Sequence, residues 1–257
     1  MKLTNKQNLP EAIFSYLSQD FYDHGAKGDS YSATELLKPT QEIILSRRHH
    51  DKLEVDVLDR IWSLFGQGIH AVLEKERGME PIVRVKAVVA GKTVSGKWDR
   101  IKDGKLTDYK CTSAWTVVYK DRYPEWRKQL SIYRWLYWKA NGVLLNGTGT
   151  IIAILRDWSD KNLKEGGSYP PFPIMEIPFD LMSVEETEVL VLAKLREIAG
   201  AEMLPDELLP TCTDEERWYN KTKKTYMKCA KYCPVNKFCK QFGKENEFLA
   251  LPDAEVA

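Results

Sequence analysis

The sequence predicts an α/β or α+β fold in which a mixed sheet is flanked by helices. Segments with helical periodicity alternate with short runs of alternating or β-branched residues, in the order helix, three antiparallel strands, helix, strand, strand, helix. The length of 257 residues, with 43% hydrophobic residues, suits one large domain or one domain with a small appendage.

The N-terminal third is predicted to be mainly helical. A short helix is expected over residues 11–17, and the stretch from Ser32 to Glu35 fits a capping box. Pro39 soon ends or bends the helix that starts there. Apolar residues then recur at helical spacing from Val55 to Leu73, which predicts a long helix.

The middle of the chain is predicted to contain strands. Residues 83–89 alternate as a strand, and the turn at 90–92 leads into the next one. The segment from Ser95 to Lys110 reads as two short strands around Asp103-Gly104, a dipeptide that is typical of tight hairpins.

The second half is predicted to alternate between helices and strands. A helix is expected over residues 125–140 and should stop at Asn141-Gly142. A buried strand over 148–155 and an edge strand over 174–179 follow, and a capping box at 183–186 begins a helix that reaches about residue 199. Residues 205–210 form a linker, which gives two predicted domains, 1–204 and a cysteine-rich tail, 205–257.

The hairpin carries the most informative side chains. If Asp103 and Gly104 form the turn, Ile101 pairs with Leu106 and Asp99 lies opposite Asp108, where two carboxylates repel each other. A divalent cation between them would turn that repulsion into a binding site of hard oxygen ligands. Lys110 shares the face of Asp108, and this set suits metal-assisted attack of water on a phosphodiester. A solvated hairpin with a salt bridge is the alternative.

Two helices add polar pairs at the spacing of one turn. His70 and Glu74 share a face of the first long helix, and Gln129 and Tyr133 share a face of the helix after the hairpin. The alternatives are a packed or surface histidine and a polar stripe on an amphipathic helix.

Taken in order, these motifs resemble the PD-(D/E)XK nuclease superfamily, and most closely its RecB-type branch, which includes phage recombination exonucleases and CRISPR-adaptation nucleases. The motifs are Gly66-x-x-x-His70, Gly96-x-x-Asp99, Asp108-Tyr109-Lys110 and Gln129-x-x-x-Tyr133. The resemblance covers about residues 32–133 and implies a restriction-endonuclease-like sheet. Trp98-Asp99 stands where the family has proline-aspartate.

The resemblance also implies roles for these residues. Lys110 would orient and help deprotonate the attacking water, and Gln129 and Tyr133 would support the site and contact the strand. The ligands of Mg²⁺ or Mn²⁺ would be His70, Asp99, Asp108 and the backbone carbonyl of Tyr109, with Glu74 as a weaker candidate.

The tail has the cysteine spacing of a metal or cluster site. Cys212, Cys229, Cys233 and Cys239 lie close together in a chain with five cysteines, and four thiolates suit zinc or an iron–sulfur cluster. RecB-type nucleases with a C-terminal cysteine triplet are similar and carry a 4Fe-4S cluster. Their remaining cysteine usually precedes the core, whereas all four candidates here follow it, so zinc stays an alternative.

A net charge of +1 predicts that any DNA contact comes from local patches. Cations and aromatics after the lysine motif suit a DNA strand, although such runs are often simply solvated. They are Trp115, Lys120, Arg122, Trp126 and Arg127. Similar residues are interleaved in the cysteine tail.

The expected function is a metal-dependent DNA exonuclease in recombination, repair or phage DNA processing. A non-catalytic DNA-binding or assembly subunit and a zinc-stabilised RNA-processing protein are the alternatives. The expected partners are DNA ends, single- or double-stranded, and a single-strand annealing or recombination protein. No secretion signal or membrane span is recognisable, so the expected location is the cytoplasm, or the host cytoplasm for a phage protein.

Overall fold

A computed structural model of the chain describes residues 1–19, 29–73 and 84–243. The strands are β1 (Lys2–Thr4), β2 (Ser30–Ser32), β3 (Glu54–Asp56), β4 (Val85–Val89), β5 (Lys92–Gly96), β6 (Arg100–Lys102), β7 (Lys105–Thr112), β8 (Thr148–Leu155), β9 (Ile174–Asp180), β10 (Tyr219–Asn220) and β11 (Thr225–Tyr226). The helices are α1 (Glu11–Ser18), α2 (Ala33–Leu36), α3 (Thr40–Arg48), α4 (Ile61–Leu73), α5 (Ala114–Tyr119), α6 (Tyr123–Asn141), α7 (Asp160–Lys164), α8 (Val184–Glu202) and α9 (Asp214–Arg217).

The described residues form two compact units. The terminal unit contains residues 1–19, residues 38–59 and the described chain from Lys194 onward. The central unit contains the remaining described residues up to Ala193, so that α8 contributes to both units. The predicted division into residues 1–204 and a cysteine-rich tail, 205–257, stays a prediction.

The central unit is built on two sheets. One has the strand order β6-β7-β8-β9, and the other has the order β2-β5-β4. β7 and β8 are parallel, whereas β6 and β9 run antiparallel to their neighbours. The predicted mixed α/β fold is therefore confirmed. The predicted run of three antiparallel strands is wrong, because β4–β5 and β6–β7 are two antiparallel pairs in separate sheets.

Helix α6 covers the sheets of the central unit. Pro124 lies in its first turn, and Gly142 ends it with a left-handed conformation at φ 68°, as the Asn141-Gly142 pair predicted. Trp135, Leu130 and Leu136 on this helix are completely buried. β8 packs below it, with Ile151 fully buried. This packing fixes the middle strands, which carry the candidate site.

Helix α8 begins as predicted. The Glu186 backbone N–H donates to the Ser183 hydroxyl at 3.0 Å, and the Ser183 N–H donates back to the Glu186 carboxylate at 2.8 Å. This reciprocal pair is a capping box.

The long helix predicted from Val55 to Leu73 is shorter in the structure. Val55 lies in β3, which pairs in parallel with β1 at Leu3, and α4 begins only at Ile61. A 3₁₀ turn over Val57–Arg60 separates the two elements. Periodicity could not reveal this, because the strand partner lies some fifty residues earlier in the sequence.

Across residues 1–19, 29–73 and 84–243, none of the helices combines the length and the apolar character that crossing a bilayer requires.

Candidate active site and cysteine cavity

The hairpin of β6 and β7 sets the positions of the acidic residues. Asp103 and Gly104 have φ values of 51° and 75°, as a type I′ turn requires, and Ile101 pairs with Leu106 as predicted. The ladder between the two strands ends at the pair of Arg100 and Thr107, one position short of Asp99 and Asp108.

Asp99 is attached to the neighbouring strand by its side chain. Its Oδ2 accepts a hydrogen bond from the backbone N–H of Tyr109 at 2.7 Å, and the residue is 8% exposed. The carboxylate therefore lies beside the residue that follows Asp108, where the hairpin register places it.

Asp108 and Lys110 lie on one face of β7 and form an ion pair. The Lys110 ammonium is 2.6 Å from Oδ2 of Asp108, whose side chain is 5% exposed. Burial raises the pKa of Asp108 from 3.8 to about 6, Lys110 opposes that shift, and the nearby Asp99 charge adds to it. Burial is the largest of these effects, and the charge of Lys110 does not cancel it.

His70 joins this group from α4. Its Nδ1 lies 3.0 Å from Oδ1 of Asp99, and its ring stands edge-on to Tyr109 with 6.2 Å between centroids. The hydrogen bond with Asp99 raises the pKa of His70 in spite of the opposing effect of burial. Glu74, the weaker candidate ligand, lies outside the described residues.

Gln129 and Tyr133 lie on the buried face of α6 and contact each other. The Gln129 amide donates to the Tyr133 hydroxyl at 2.8 Å. Gly96 makes room for this face, since a Cβ at that position would lie 2.8 Å from Leu136 and 2.9 Å from Tyr133. The glycine of the Gly-x-x-Asp motif thus allows α6 to approach the strand.

The residues expected to guide a DNA strand differ in their exposure and in their contacts. Trp115 and Lys120 are exposed, and Arg122 pairs with Glu125 at 3.0 Å. The guanidinium of Arg127 donates to the backbone carbonyl of Asp180 at 2.6 Å.

Trp126 requires a correction. It is 4% exposed and stacks on Tyr123, so its ring belongs to the core and is not available to a base. The helical period of α6 turns this residue inward together with Leu130 and Tyr133.

The four clustered cysteines line one cavity of the terminal unit, of about 370 Å³ including its open mouth. The cavity is lined by Cys212, Cys229, Cys233 and Cys239, and also by Gln41, Glu42, Arg217 and Lys228. The side-chain amide oxygen of Gln41, Oε1, lies 3.5 Å from the Cys212 sulfur and 3.3 Å from the Cys239 sulfur. Burial raises the pKa of Cys212 to about 12 and that of Cys233 to about 11. All four thiols therefore face one space, and at least these two are neutral at pH 7.

Neither site has the geometry of a formed metal centre. Among the residues that the structure describes, no group of three or more His, Cys, Asp or Glu side chains is arranged to hold a metal ion. The types of donor atom at the two sites nevertheless suit two different kinds of metal. Two buried carboxylates with an imidazole suit a hard divalent cation, and four thiols around one cavity suit zinc or an iron–sulfur cluster.

Two features of the sites were not anticipated from the sequence. Trp62, two helical turns before His70, is covered on one side by Arg156, whose guanidinium carbon lies 4.4 Å from the ring centroid. Gln41 contacts two of the clustered cysteines. The spacing of Trp62 from His70, about two helical turns, could have indicated that both residues lie on the same side of the helix. Nothing in the sequence around Gln41 indicates its position near the cysteines.

Comparison with known proteins extends these observations. The family model of the PD-(D/E)XK nuclease superfamily matches residues 17–240. The solved structure of SSO0001 is similar, with 15% sequence identity over 90% of this chain and 92% of that chain and a TM-score of 0.50, a likeness that shows the fold alone. The alkaline exonuclease LHK-Exo from Laribacter hongkongensis has 15% identity over 67% of this chain and 89% of that chain, with a TM-score of 0.41. No curated protein matches the chain.

Proposed function

Because the chain belongs to the PD-(D/E)XK nuclease superfamily and is therefore a nuclease, we propose that it is a metal-dependent DNA exonuclease acting in recombination, repair or phage DNA processing. The observation that carries the proposal is the meeting of two buried carboxylates and a lysine at the hairpin. Asp99 is bonded to the Tyr109 N–H, and Asp108 contacts Lys110 at 2.6 Å. In an ordinary surface salt bridge the charged groups stay in water, whereas here two acids are buried next to each other.

The proposed ligands of Mg²⁺ or Mn²⁺ are Asp99, Asp108, His70 and the backbone carbonyl of Tyr109. Superfamily members typically use such divalent cations. A cation bound here supplies positive charge that offsets the charge of the phosphodiester and eases deprotonation of water. Such a cation would stabilise the negative charge of Asp108, which is unfavourable mainly because the side chain is buried and also because Asp99 lies nearby.

Lys110 is proposed to act on the attacking water. Its side chain is 25% exposed, so the ammonium can reach both Asp108 and a water molecule at the surface. There it would orient the water, help to remove its proton and stabilise the negative charge that develops on the phosphate.

Asp99 is also proposed to position this chemistry, together with Gln129 and Tyr133. Asp99 holds the His70 ring, because its two oxygens bond separately to the ring and to the Tyr109 N–H. The Gln129–Tyr133 pair supports the hairpin from α6, and in this structure both side chains are buried rather than open to a DNA strand.

The cysteine cavity is proposed to hold a 4Fe-4S cluster, with zinc as the alternative occupant. Four thiolates around either group carry excess negative charge, and the cavity lining contains two cations, Lys228 and Arg217, which in this structure pair with Glu42 and Asp214. We assign this group a structural role. Visible absorbance of anaerobically purified protein distinguishes the two occupants, since iron–sulfur clusters are coloured and zinc is not.

The proposed substrate is a DNA end. Trp115 and Lys120 are exposed on and just after α5, which directly follows β7 and its lysine, and this position supports a role in guiding a strand. A single-strand annealing or recombination protein is the proposed protein partner.

Cleavage of end-labelled linear DNA and of circular DNA tests the proposal, with Mg²⁺, Mn²⁺ or EDTA in parallel reactions. We expect loss of linear DNA with either metal, intact circles, and no reaction in EDTA. Cleavage of circles would show an endonuclease instead. DNA binding without cleavage under any metal would favour a non-catalytic DNA-binding subunit, and faster cleavage of RNA would favour RNA processing.

A further inference from the structure

Helix α4 exposes aromatic rings that the proposed chemistry does not use. No residue of this helix is fully buried, and Trp62 and Phe65 are 55% and 52% exposed. Their rings contact each other with 5.8 Å between centroids. Adjacent large rings left open to water on the helix that carries His70 are typical of a binding surface rather than of a core.

Arg156 gives this surface a positive charge. Its backbone N–H donates to the carbonyl of Thr112 at 3.0 Å, so it is fixed at the end of β8 beside the strand of Lys110. Its guanidinium lies 4.4 Å from the Trp62 ring centroid, within the range of a cation–π contact. A cation and an open aromatic face therefore stand together near the proposed active site.

A second aromatic pair lies on α5, just after the lysine motif. Trp115 and Tyr119 are 44% and 70% exposed, and their rings stack at 5.9 Å with 23° between the ring planes. The Asp157 carboxylate fixes the start of this helix, because it accepts hydrogen bonds from the Ser113 hydroxyl at 2.5 Å and the Ala114 N–H at 2.6 Å. Two consecutive residues after β8 thus contact the two aromatic regions: Arg156 lies over Trp62, and Asp157 fixes the start of α5.

We propose that Trp62 with Arg156, together with the Trp115–Tyr119 pair, forms a stacking track that holds unpaired bases, so that the enzyme takes single-stranded DNA at its active site. This inference rests on the proposed nuclease function and specifies its substrate. Unpaired bases of a flexible strand can offer free faces to successive aromatic rings, whereas the interior bases of a duplex already stack on one another. The guanidinium on Trp62 complements the phosphates of such a strand.

Binding measured in EDTA, where no cleavage is expected, tests the track. The probes are a fluorescent oligothymidylate, an abasic strand of equal length and a duplex of equal length, each followed by anisotropy. Wild-type protein should bind the oligothymidylate most tightly. Trp62→Leu should weaken that binding by about tenfold and leave abasic-strand binding unchanged, because a stacked base contributes that much and a bare backbone has nothing to stack.

Matched variants separate stacking from other effects. Trp62→Phe should retain most of the affinity, because it keeps a ring, and Val72→Ala, which changes another exposed apolar residue of α4, should bind like wild type. Arg156→Gln should weaken binding to both single strands. Melting curves for each variant confirm that it is folded.

Two results would overturn the track: wild-type affinity of Trp62→Leu for oligothymidylate, or an equal loss for the abasic strand. Equal affinity of Trp62→Phe and Trp62→Leu for oligothymidylate would also contradict it, because the aromatic ring at this position would then make no difference. Binding is measured without catalysis, so the two proposals can fail separately. A negative binding result would not affect the evidence for cleavage, and a protein that does not cleave DNA could still bind unpaired bases at these rings.

Discussion

The two candidate sites of this chain are held by different kinds of structure. The acidic site lies on β7, a strand of eight residues paired along its length with β8, and its acids face each other across a hairpin. The cysteine cavity lies among two-residue strands, short turns and one π-helical turn over Lys228–Tyr232. A ladder of backbone hydrogen bonds fixes the first site before any ligand binds, whereas the second has little regular structure of its own.

The charges at the two sites differ as well. Asp108 is buried near Asp99, so its negative charge is unfavourable in the folded chain. Burial raises the pKa of Cys212 to about 12 and that of Cys233 to about 11, so forming thiolates here is unfavourable until a metal binds. Removing the ligand should therefore leave the acidic site folded but strained, and should leave the cysteine cavity without the bonds that connect its segments.

The largest expected effect is on catalysis at the acidic site. Lys110→Ala and Asp108→Ala should each lower the cleavage rate about a thousandfold or more, because the first removes a positive charge beside the reacting phosphate and the second removes a proposed ligand of the cation. Lys102→Ala is the matched control, since this lysine is exposed on the same hairpin and should keep wild-type activity. Unchanged cleavage by Lys110→Ala would remove this lysine from the mechanism.

The next effect is on stability at the cysteine cavity. Cys233→Ser should lower the melting temperature, with a loss of about 3 kcal/mol in the free energy of unfolding, because it removes one ligand of a structural group. The matched control is Cys111→Ser, which changes the one cysteine on β7 and should keep the bound metal or cluster. Equal melting curves for Cys233→Ser and wild type would show that the cavity holds no structural group.

Gly96→Ala tests how closely α6 approaches the acidic site. The added methyl would lie 2.8 Å from Leu136 and 2.9 Å from Tyr133, which should cost about 1–3 kcal/mol and reduce cleavage by displacing the Gln129–Tyr133 pair. Gly147→Ala is the control, because a methyl group added there would have nothing within 4 Å. Chemical denaturation and cleavage rates measure both effects.

The smallest effect concerns the pH dependence of the metal-free protein. Because folding raises the pKa of Asp108 from 3.8 to about 6, the folded state binds this proton more tightly than the unfolded state does. The contribution of this group to stability is therefore most favourable at low pH and is lost as the pH rises from about 4 to 6.

Asp108→Asn isolates this contribution from other groups. In EDTA it should be more stable than wild type by about 1 kcal/mol above pH 6, with a smaller advantage near pH 4. Denaturation at several pH values measures the difference. A constant difference across this range would contradict the raised pKa.

The geometry of the hairpin was easier to predict from the sequence than the contacts of the cysteine cavity, for a physical reason. The Asp103-Gly104 turn determines the hairpin register, and the period of a strand then places Lys110 on the face of Asp108. These are local rules, and the predicted strand over 148–155 matches β8 for the same reason. The cavity is formed largely by turns, and turns have no sequence periodicity from which contacts can be predicted. The cysteines could therefore be recognised as candidate ligands, but their contact with Gln41 could not be predicted.

Contacts between distant segments account for the errors. Val55 fits a helical period but pairs with Leu3 in a parallel strand. Trp126 lies in a segment rich in cations and aromatics, yet the turn of α6 places it in the core. The contact between Trp62 and Arg156 joins residues almost a hundred positions apart, and no local pattern indicates it.

Calorimetric titration with Mn²⁺ tests the central claim most directly, namely that the acids of the hairpin form a cation site. Wild-type protein freed of divalent metals should bind Mn²⁺, and Asp108→Asn should lose most of that binding while remaining folded. Equal binding by the two proteins, or no binding by wild type, would contradict the account.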